Sequence, residues 1–126
     1  MKKKIFFFFF AAACAAPQPP AGSAGPIEAV REFADAVHKG DTVTAWSLLS
    51  SRTQAEADRA ADAGHETGRQ MLFTSALPGR AIEPKLVAQS GDAAEVRTSE
   101  GDGGESRSWR LVREGGRWRI DLDLGR

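Results

Sequence analysis

Apolar residues recur at intervals of three and four between Pro26 and Gly40, and this spacing predicts an amphipathic helix. The residues on its buried face are Ile27, Val30, Phe33, Ala34 and Val37. Pro26 suits the first helical position, because its missing N–H needs no partner there, and Gly40 suits the C-cap. We therefore expect the first helix of the folded domain to lie between these two residues.

Two further helices are predicted after this one. Asp41 is a good N-cap for a short helix, whose apolar residues are Ala45, Trp46, Leu48 and Leu49. The sequence from Thr53 to Glu56 fits a capping box, so we expect a third helix to open there. That helix is rich in alanine and polar residues, and Gly64 and Gly68 weaken its second half.

The apolar period changes to two after Arg80, and this change predicts strands. Alternation of apolar and charged residues continues from Arg117 to Leu124, so we expect a final strand that reaches Leu124 with one solvated face. Gly115 and Gly116 fit a two-residue hairpin loop. A three-residue turn at 90–92 and a loop at 101–104 join the earlier strands. The predicted sheet is a four-stranded antiparallel meander with the inner rows Leu86–Val96–Trp109–Leu122 and Ala88–Ala94–Leu111–Ile120.

The N-terminal residues follow the order of a secretory signal peptide. Lys2, Lys3 and Lys4 give a positive start, and an unbroken apolar stretch from Ile5 to Ala13 follows. This stretch is too short to cross a bilayer, since a spanning helix needs roughly 20 apolar residues. The next segment, up to residue 26, is rich in proline and has no large apolar side chain, which predicts a flexible tether. We therefore expect a signal peptide at 1–13, Cys14 and a tether at 14–26, and one folded domain at 27–126.

The tetrapeptide Ala11-Ala12-Ala13-Cys14 resembles the lipobox of bacterial lipoproteins. The resemblance implies that Cys14 becomes the first mature residue and carries acyl chains such as palmitate, which anchor the protein to a membrane. Ala15 in the next position implies sorting to the outer membrane, with the domain facing the periplasm. Cys14 is the only cysteine, so no disulfide competes for it. The alternative is an ordinary signal peptide that is cut near Ala13.

The charge balance excludes a general affinity for nucleic acid. The chain has 17 basic and 17 acidic residues, and removal of three lysines with the signal peptide leaves 14 against 17, a net charge of −3. A mildly acidic protein has no general attraction to polyanions. We therefore expect no nucleic-acid partner.

The order of the predicted helices and strands resembles a known superfamily. The residues that carry the resemblance are Val30, Phe33, Ala34, Ala36, Gly40-Asp41, Ala45-Trp46, Leu48-Leu49-Ser50 and the hairpin from Trp109 to Asp121. They are similar to the nuclear transport factor 2-like superfamily, which includes ketosteroid isomerase and SnoaL cyclases, and within it to bacterial lipoproteins of unknown function. The resemblance covers residues 27–126. It implies an α+β fold, in which N-terminal helices pack on a curved, cone-like four-stranded meander.

Catalytic residues are not expected in this chain. The isomerase-like members of the superfamily use an aspartate base with a tyrosine or a protonated carboxylic acid as oxyanion donor, and this sequence contains no tyrosine. The predicted register places Asp121 and Asp123 on the outer face, where no burial raises the pKa of a carboxyl group. His38 and His65 are the only histidines, and neither belongs to a metal-ligand pattern. We therefore expect no catalytic residue, metal or cofactor.

The candidate ligand-binding residues are Trp46, Arg107 and Trp109. Arg107 falls on the apolar face beside Trp109 at one end of the sheet. If the cone-like fold is open at that end, Arg107 would place a positive charge at the mouth of its cavity. Such a mouth suits an amphiphile with a carboxylate or a phosphate, although an arginine at the rim also extends naturally to water. We expect a non-catalytic binding domain for a small amphipathic ligand or an envelope protein. The alternatives are an isomerase- or hydratase-like enzyme and a passive structural lipoprotein.

Overall fold

The computed structural model describes residues 21–62, 64, 66–74, 82–99 and 106–124. In these residues the chain is α+β, with four helices first and a four-stranded antiparallel sheet after them, in the order β1-β2-β3-β4. The elements are α1 (Pro26–Lys39), α2 (Thr42–Ser47), α3 (Ser51–Asp62), α4 (Gly68–Thr74), β1 (Ile82–Ser90), β2 (Ala93–Ser99), β3 (Ser106–Glu114) and β4 (Arg117–Ile120). The predicted signal peptide, Cys14, His65 and the loop at 101–104 lie outside the described residues. None of the helices within the described ranges is long and apolar enough to cross a membrane.

The first two helices have the ends that the sequence predicts. Pro26 lies in the first turn of α1, and Gly40 closes the helix at φ +75° with its N–H directed to the last carbonyls. The carboxylate of Asp41 then accepts a hydrogen bond from Thr44 N at 3.1 Å and caps α2. The buried face of α1 is formed by Ala29, Val30, Phe33, Ala34 and Ala36.

The predicted start of the third helix is wrong. α3 begins at Ser51, and Ser50 caps it because its hydroxyl accepts a hydrogen bond from Thr53 N at 3.1 Å. A capping box is present later in the chain, where Gln70 N donates to the Thr67 hydroxyl at 3.1 Å and Thr67 N donates to the Gln70 side chain at 2.9 Å. Thr67 and Gln70 therefore open α4 as a separate helix.

The register of the last three strands is as predicted, since Val96 lies opposite Trp109 and Leu111 opposite Ile120. In the first hairpin, Leu86 also lies opposite Val96, but the turn holds two residues instead of three. The additional residue forms a bulge between Leu86 and Ala88, so Ala88 pairs with Glu95. The predicted inner pair of Ala88 with Ala94 is therefore wrong.

The final strand ends at Ile120, well before the predicted end at Leu124. Beyond Ile120 the chain leaves β3 and approaches the start of α3. Leu122 N donates to the Thr53 hydroxyl at 2.9 Å, and the Arg52 guanidinium donates to Leu122 O at 2.8 Å. Within the described residues the pairing of β3 with β4 reaches only to Leu111 and Ile120, so the predicted opposition of Trp109 and Leu122 does not form.

The core lies between α1 and the sheet and is closed. Phe33 and Trp109 are fully buried, and their rings meet edge to face with centroids 6.0 Å apart. Trp109 is 2% exposed, and its indole N–H donates to the buried Thr98 hydroxyl at 2.9 Å. Trp109 is therefore a core residue and does not form the wall of an open cone mouth.

Residues 21–25 pack on the domain, although their composition predicted that they belong to the tether. Ser23 is 1% exposed and exchanges two backbone hydrogen bonds with Trp118, both of 2.8 Å. On the same side of β4, Ile120 N donates to Leu48 O and Ser50 N donates to Ile120 O. These segments cover the outer edge of β4, which an unpaired strand would otherwise expose.

Candidate functional site

A groove of about 660 Å³ lies across the sheet, from the first hairpin over β3 to the segment after β4. It is lined by residues 88–90 and 93–95 of the first hairpin, by 107–110 of β3 and by 121–123 after β4. We call it the β3 groove. Its volume is within the range of ligand-binding clefts in proteins, so it is the candidate functional site.

Two strands of unequal length lie at the end of the β3 groove that is nearest to β4. β3 has nine residues and β4 has four, and their pairing reaches only from Glu114 to Leu111. The last backbone contact between the two chain segments is the hydrogen bond from Asp121 N to Arg110 O, at 2.8 Å. From Ser106 to Trp109, β3 therefore has a neighbouring strand on the β2 side only, within the described residues.

Three side chains at the start of α3 bind the segment after β4. We call Ser50, Arg52 and Thr53 the α3 clamp. The Ser50 hydroxyl donates to Asp121 Oδ1 at 2.7 Å, and Arg52 Nε donates to the same oxygen at 3.0 Å. Together with the bonds of Thr53 and Arg52 to Leu122, these contacts fix the far wall of the groove.

Asp121 is the best-connected carboxylate of the groove, although the alternating pattern predicted it on the solvated face. Its side chain is only 9% exposed. Burial acts to raise the pKa of Asp121, but the hydrogen bonds from Arg52 and Ser50 and the charges of Arg52 and Arg110 outweigh it and lower this pKa. Asp121 therefore stays ionised at neutral pH and is a weak proton acceptor.

Charges of both signs line the β3 groove. The register places Ala88, Glu95 and Arg110 in one row across the three strands, with Asp121 beside Arg110. Arg107 and Asp123 add one charge of each sign. A groove with this distribution suits a ligand that itself carries charged and apolar groups in alternation.

The structure brings two of the three predicted ligand-binding residues to this groove. Arg107 is exposed, lies opposite Thr98 and lines the groove. Trp109 also lines it but has almost no accessible surface. Trp46 is half-buried in α2, packs on the hydrophobic core and is not part of the groove lining.

Sequence reasoning missed the polar residues that shape the groove, Ser108 and the α3 clamp. One signal was present, because Ser50 and Thr53 are spaced as a helix N-cap and its third residue. That spacing places the helix start at Ser51, with polar side chains close to any strand that ends beside it. The alternating pattern from Arg117 to Leu124 gave no indication that the strand would end early.

Metal chemistry has no support in the described residues. No group of three histidine, cysteine, aspartate or glutamate side chains lies close enough there to hold a metal ion. His38 is exposed in the last turn of α1, where a basic side chain complements the helix dipole.

Comparison with known proteins identifies no relative. No family model, curated protein or solved structure matches this chain.

Proposed function

We propose that this chain is a lipid-anchored envelope protein of a bacterium, whose folded domain binds another envelope protein in the β3 groove and catalyses no reaction. The observation that carries the proposal is the groove itself, which extends across the sheet from the first hairpin to the segment after β4 and has charges of both signs along it. The anchor is supported by the sequence order of lysines, apolar residues and Cys14. On this proposal the domain faces the periplasm from the outer membrane.

A protein partner fits the groove better than a small anionic amphiphile. Such an amphiphile needs an apolar cavity with a positive mouth, whereas Trp109, which was expected at that mouth, is only 2% exposed and contacts Phe33 in the core. Arg107 shares the groove with the carboxylates of Glu95, Asp121 and Asp123, which disfavour an anionic head group. An exposed polypeptide offers both signs of charge and apolar groups at short intervals.

Asp121 argues against the alternative of an isomerase- or hydratase-like enzyme. A general base for such a reaction needs a pKa near the working pH, which desolvation usually provides. The hydrogen bonds from Arg52 and Ser50 lower the pKa of Asp121, and the same bonds occupy its carboxylate. The geometry therefore supports a structural role for this carboxylate at the wall of a binding groove.

We also propose that the domain has the cone-like fold of the nuclear transport factor 2-like superfamily. The support is the element order, with helices α1 to α4 before a four-stranded antiparallel meander, together with the packing of α1 on the sheet. The fold alone does not select a function, since one fold hosts many.

Native mass spectrometry of the full-length protein, extracted gently from its own membrane, tests the proposed function. Ser108→Trp fills the groove from an exposed position, and Arg31→Trp places the same side chain on the exposed face of α1 as a control. We expect the wild type and Arg31→Trp to carry a protein-sized non-covalent adduct and Ser108→Trp to lose it. Equal adducts on all three proteins, or an adduct of lipid size only, would contradict the proposal.

A further inference from the structure

Arg110 is an exposed cation of the β3 groove, and the carboxylates beside it are bound by other groups. Glu95 lies opposite Arg110 on β2, and Asp121 lies beside it on the β4 side. Glu95 pairs with Arg97 at 3.3 Å, and Asp121 Oδ1 accepts hydrogen bonds from the α3 clamp. Among the described residues, the guanidinium of Arg110 makes no hydrogen bond and no ion pair.

The charges around Arg110 disfavour an anion as its ligand. A carboxylate or a phosphate that approached this guanidinium would be repelled by Glu95 and Asp121. A guanidinium is also planar, and its faces stack on aromatic rings. An aromatic ring has no net charge, so the flanking carboxylates do not oppose it as they oppose an anion. The group that fits Arg110 is therefore an aromatic ring.

Arg113, on the same strand, shows such an arrangement within the protein. Its Nε donates to Asp92 Oδ1 at 3.0 Å, and its Cζ lies 5.1 Å from the centroid of the Trp118 ring. This guanidinium therefore binds a carboxylate and covers an aromatic ring at the same time. No aromatic ring of the described residues lies over Arg110, so Arg110 presents the same group without its ring.

Short side chains leave space for a ring beside Arg110. Ser108 lies two residues from Arg110 on the same face of β3 and is exposed. Ala88 lies in the same row as Glu95 and Arg110, and it is exposed as well. These residues line the β3 groove, whose volume of about 660 Å³ is larger than any aromatic side chain. A ring seated over Ser108 would therefore lie inside the groove and next to the guanidinium.

We propose that Arg110 binds an aromatic side chain of the partner protein, which lies over Ser108 in the β3 groove with its ring against the guanidinium. This inference rests on the proposed function and specifies the residue type that the groove recognises. Arginine and aromatic residues contribute much of the binding energy at protein interfaces, and a cation–π contact becomes stronger when it is desolvated. Arg110 then selects the partner, and the flanking carboxylates disfavour partners with an acidic residue at that position.

Selection from a library of random linear peptides on the detergent-solubilised full chain tests which residue type is recognised. Arg110→Leu removes the guanidinium from the groove, and Arg31→Leu removes an exposed arginine from α1 as a control. We expect wild type and Arg31→Leu to select peptides with tryptophan, tyrosine or phenylalanine at one recurring position, and Arg110→Leu to lose this preference. Selection of acidic peptides, or no preference that depends on Arg110, would overturn the inference.

The affinity of a selected peptide for Arg110→Lys separates stacking from attraction by charge alone, since lysine keeps the charge but lacks the planar group. We expect binding to weaken about fivefold in Arg110→Lys and about tenfold in Arg110→Leu. A peptide with leucine in place of the ring should bind wild type and Arg110→Leu equally. Equal affinity of the aromatic peptide for wild type and Arg110→Lys would overturn the inference.

The protein-sized adduct in native mass spectra distinguishes a failure of this inference from a failure of the proposed function. We expect Arg110→Leu to lose the adduct together with Ser108→Trp, while Arg31→Leu keeps it. If Ser108→Trp lost the adduct and Arg110→Leu kept it, the proposed function would stand and the assignment of Arg110 would be wrong.

Discussion

Gly22 lies at φ +92° in the segment that docks on β4, and it has no space for a side chain. A Cβ at this position would lie 2.9 Å from Arg117 Cβ and 2.9 Å from Trp118 O. Arg117 also donates to Gly22 O at 3.0 Å, so the backbone cannot move away without losing this bond. The docking of residues 21–25 therefore depends on a glycine that composition alone assigns to a flexible tether.

We expect Gly22→Ala to lower the free energy of unfolding by about 1–3 kcal/mol, because strain at a positive φ adds to the steric overlap. Gly91→Ala is the matched control, since Gly91 has φ +59° but a Cβ there would have no atom within 4 Å. Gly91→Ala should lower the free energy of unfolding by a smaller amount, because only the backbone strain contributes there. Urea unfolding of the full chain in detergent gives both values. Equal losses in the two variants would show that Gly22 does not pack on β4.

Because of Asp121, the free energy of unfolding should decrease as the pH is lowered. The pKa of Asp121 is lower in the folded protein than in the unfolded chain, where it is about 3.9. The ionised side chain therefore stabilises the fold fully above about pH 3.9, and this stabilisation is lost as the pH falls through the pKa of the folded state. We expect Asp121→Asn to cost about 1–3 kcal/mol of unfolding free energy at pH 7 and much less near pH 3.

The control for Asp121 is Asp35→Asn, which removes an exposed pair with Lys39 whose side chains are 60% and 66% exposed. Such a pair contributes about 0.5 kcal/mol or less, so this variant should match the wild type within that margin at both pH values. Unfolding by urea at the two pH values measures the difference. A gap between wild type and Asp121→Asn that stays constant down to pH 3 would contradict the assignment.

The ends and the register of several secondary-structure elements could be predicted from local sequence patterns. The period of α1, its proline and its glycine cap predicted that helix at both ends, and the glycine pair at 115–116 predicted the register of β3 with β4. These features act locally, within a few residues. The early end of β4 could not be predicted in this way, because Asp121 and Leu122 are bound by side chains about 70 residues earlier in the chain.

Part of the candidate site could be predicted from the sequence. Arg107 lies on the same face of β3 as Trp109, as expected, because strand register follows from the hairpin loops. Trp46 packs on the core and does not line the groove, since α2 and β3 are related only by tertiary packing, which a periodic pattern does not contain. The wall of the groove at Asp121 and Leu122 depends on hydrogen bonds from the α3 clamp, about 70 residues earlier in the chain.

The hydrogen bonds of the α3 clamp give an element-scale prediction. The double variant Arg52→Met and Thr53→Val removes the side chains that bind Leu122, so we expect it to lower the free energy of unfolding by about 1–3 kcal/mol. Glu66→Gln, at an exposed position before α4, is the control and should match the wild type within about 0.5 kcal/mol. Urea unfolding of both variants measures the difference, and equal values would contradict the contacts of the clamp with Leu122.

The crossing of α3 and α4 gives a second prediction at this scale. A Cβ on Gly68 would lie 2.6 Å from Asp58 N and 2.7 Å from Ala57 C, whereas one on Gly64 has no atom closer than 3.6 Å. We expect Gly68→Ala to lower the free energy of unfolding by about 1–3 kcal/mol and Gly64→Ala to change it by less than about 0.5 kcal/mol. Thermal or urea unfolding distinguishes the two. Similar values for both variants would contradict the close packing of the helices.

At the scale of the whole molecule, the folded part begins closer to Cys14 than the composition of the tether suggests. The chain is fixed to β4 from Gly22 onward, which leaves seven residues, 15 to 21, between Cys14 and the docked segment. Seven residues span at most about 25 Å even when fully extended. If Cys14 carries the anchor, the β3–β4 hairpin lies close to the membrane surface, because Gly22 contacts Arg117 immediately after its turn.

The anchor itself is tested by Cys14→Ala. Without the thiol no acyl chain can be attached, so the variant should leave the membrane fraction while the wild type remains there until detergent is added. Ala15→Ser, which keeps the thiol, is the control and should stay with the membrane. Cys14→Ala protein that stays in the membrane fraction after its signal peptide has been removed would contradict the anchor.

The central claim is that the face of the β3 groove contacts a protein, and site-specific photo-crosslinking in the intact cell envelope tests it most directly. Benzoylphenylalanine in place of Ser108 reports on the groove, and the same group in place of Arg31 reports on the far side of α1. The account predicts one discrete protein adduct from position 108 and none of that mass from position 31. Crosslinks of the same mass from both positions, or only to lipid from position 108, would contradict it.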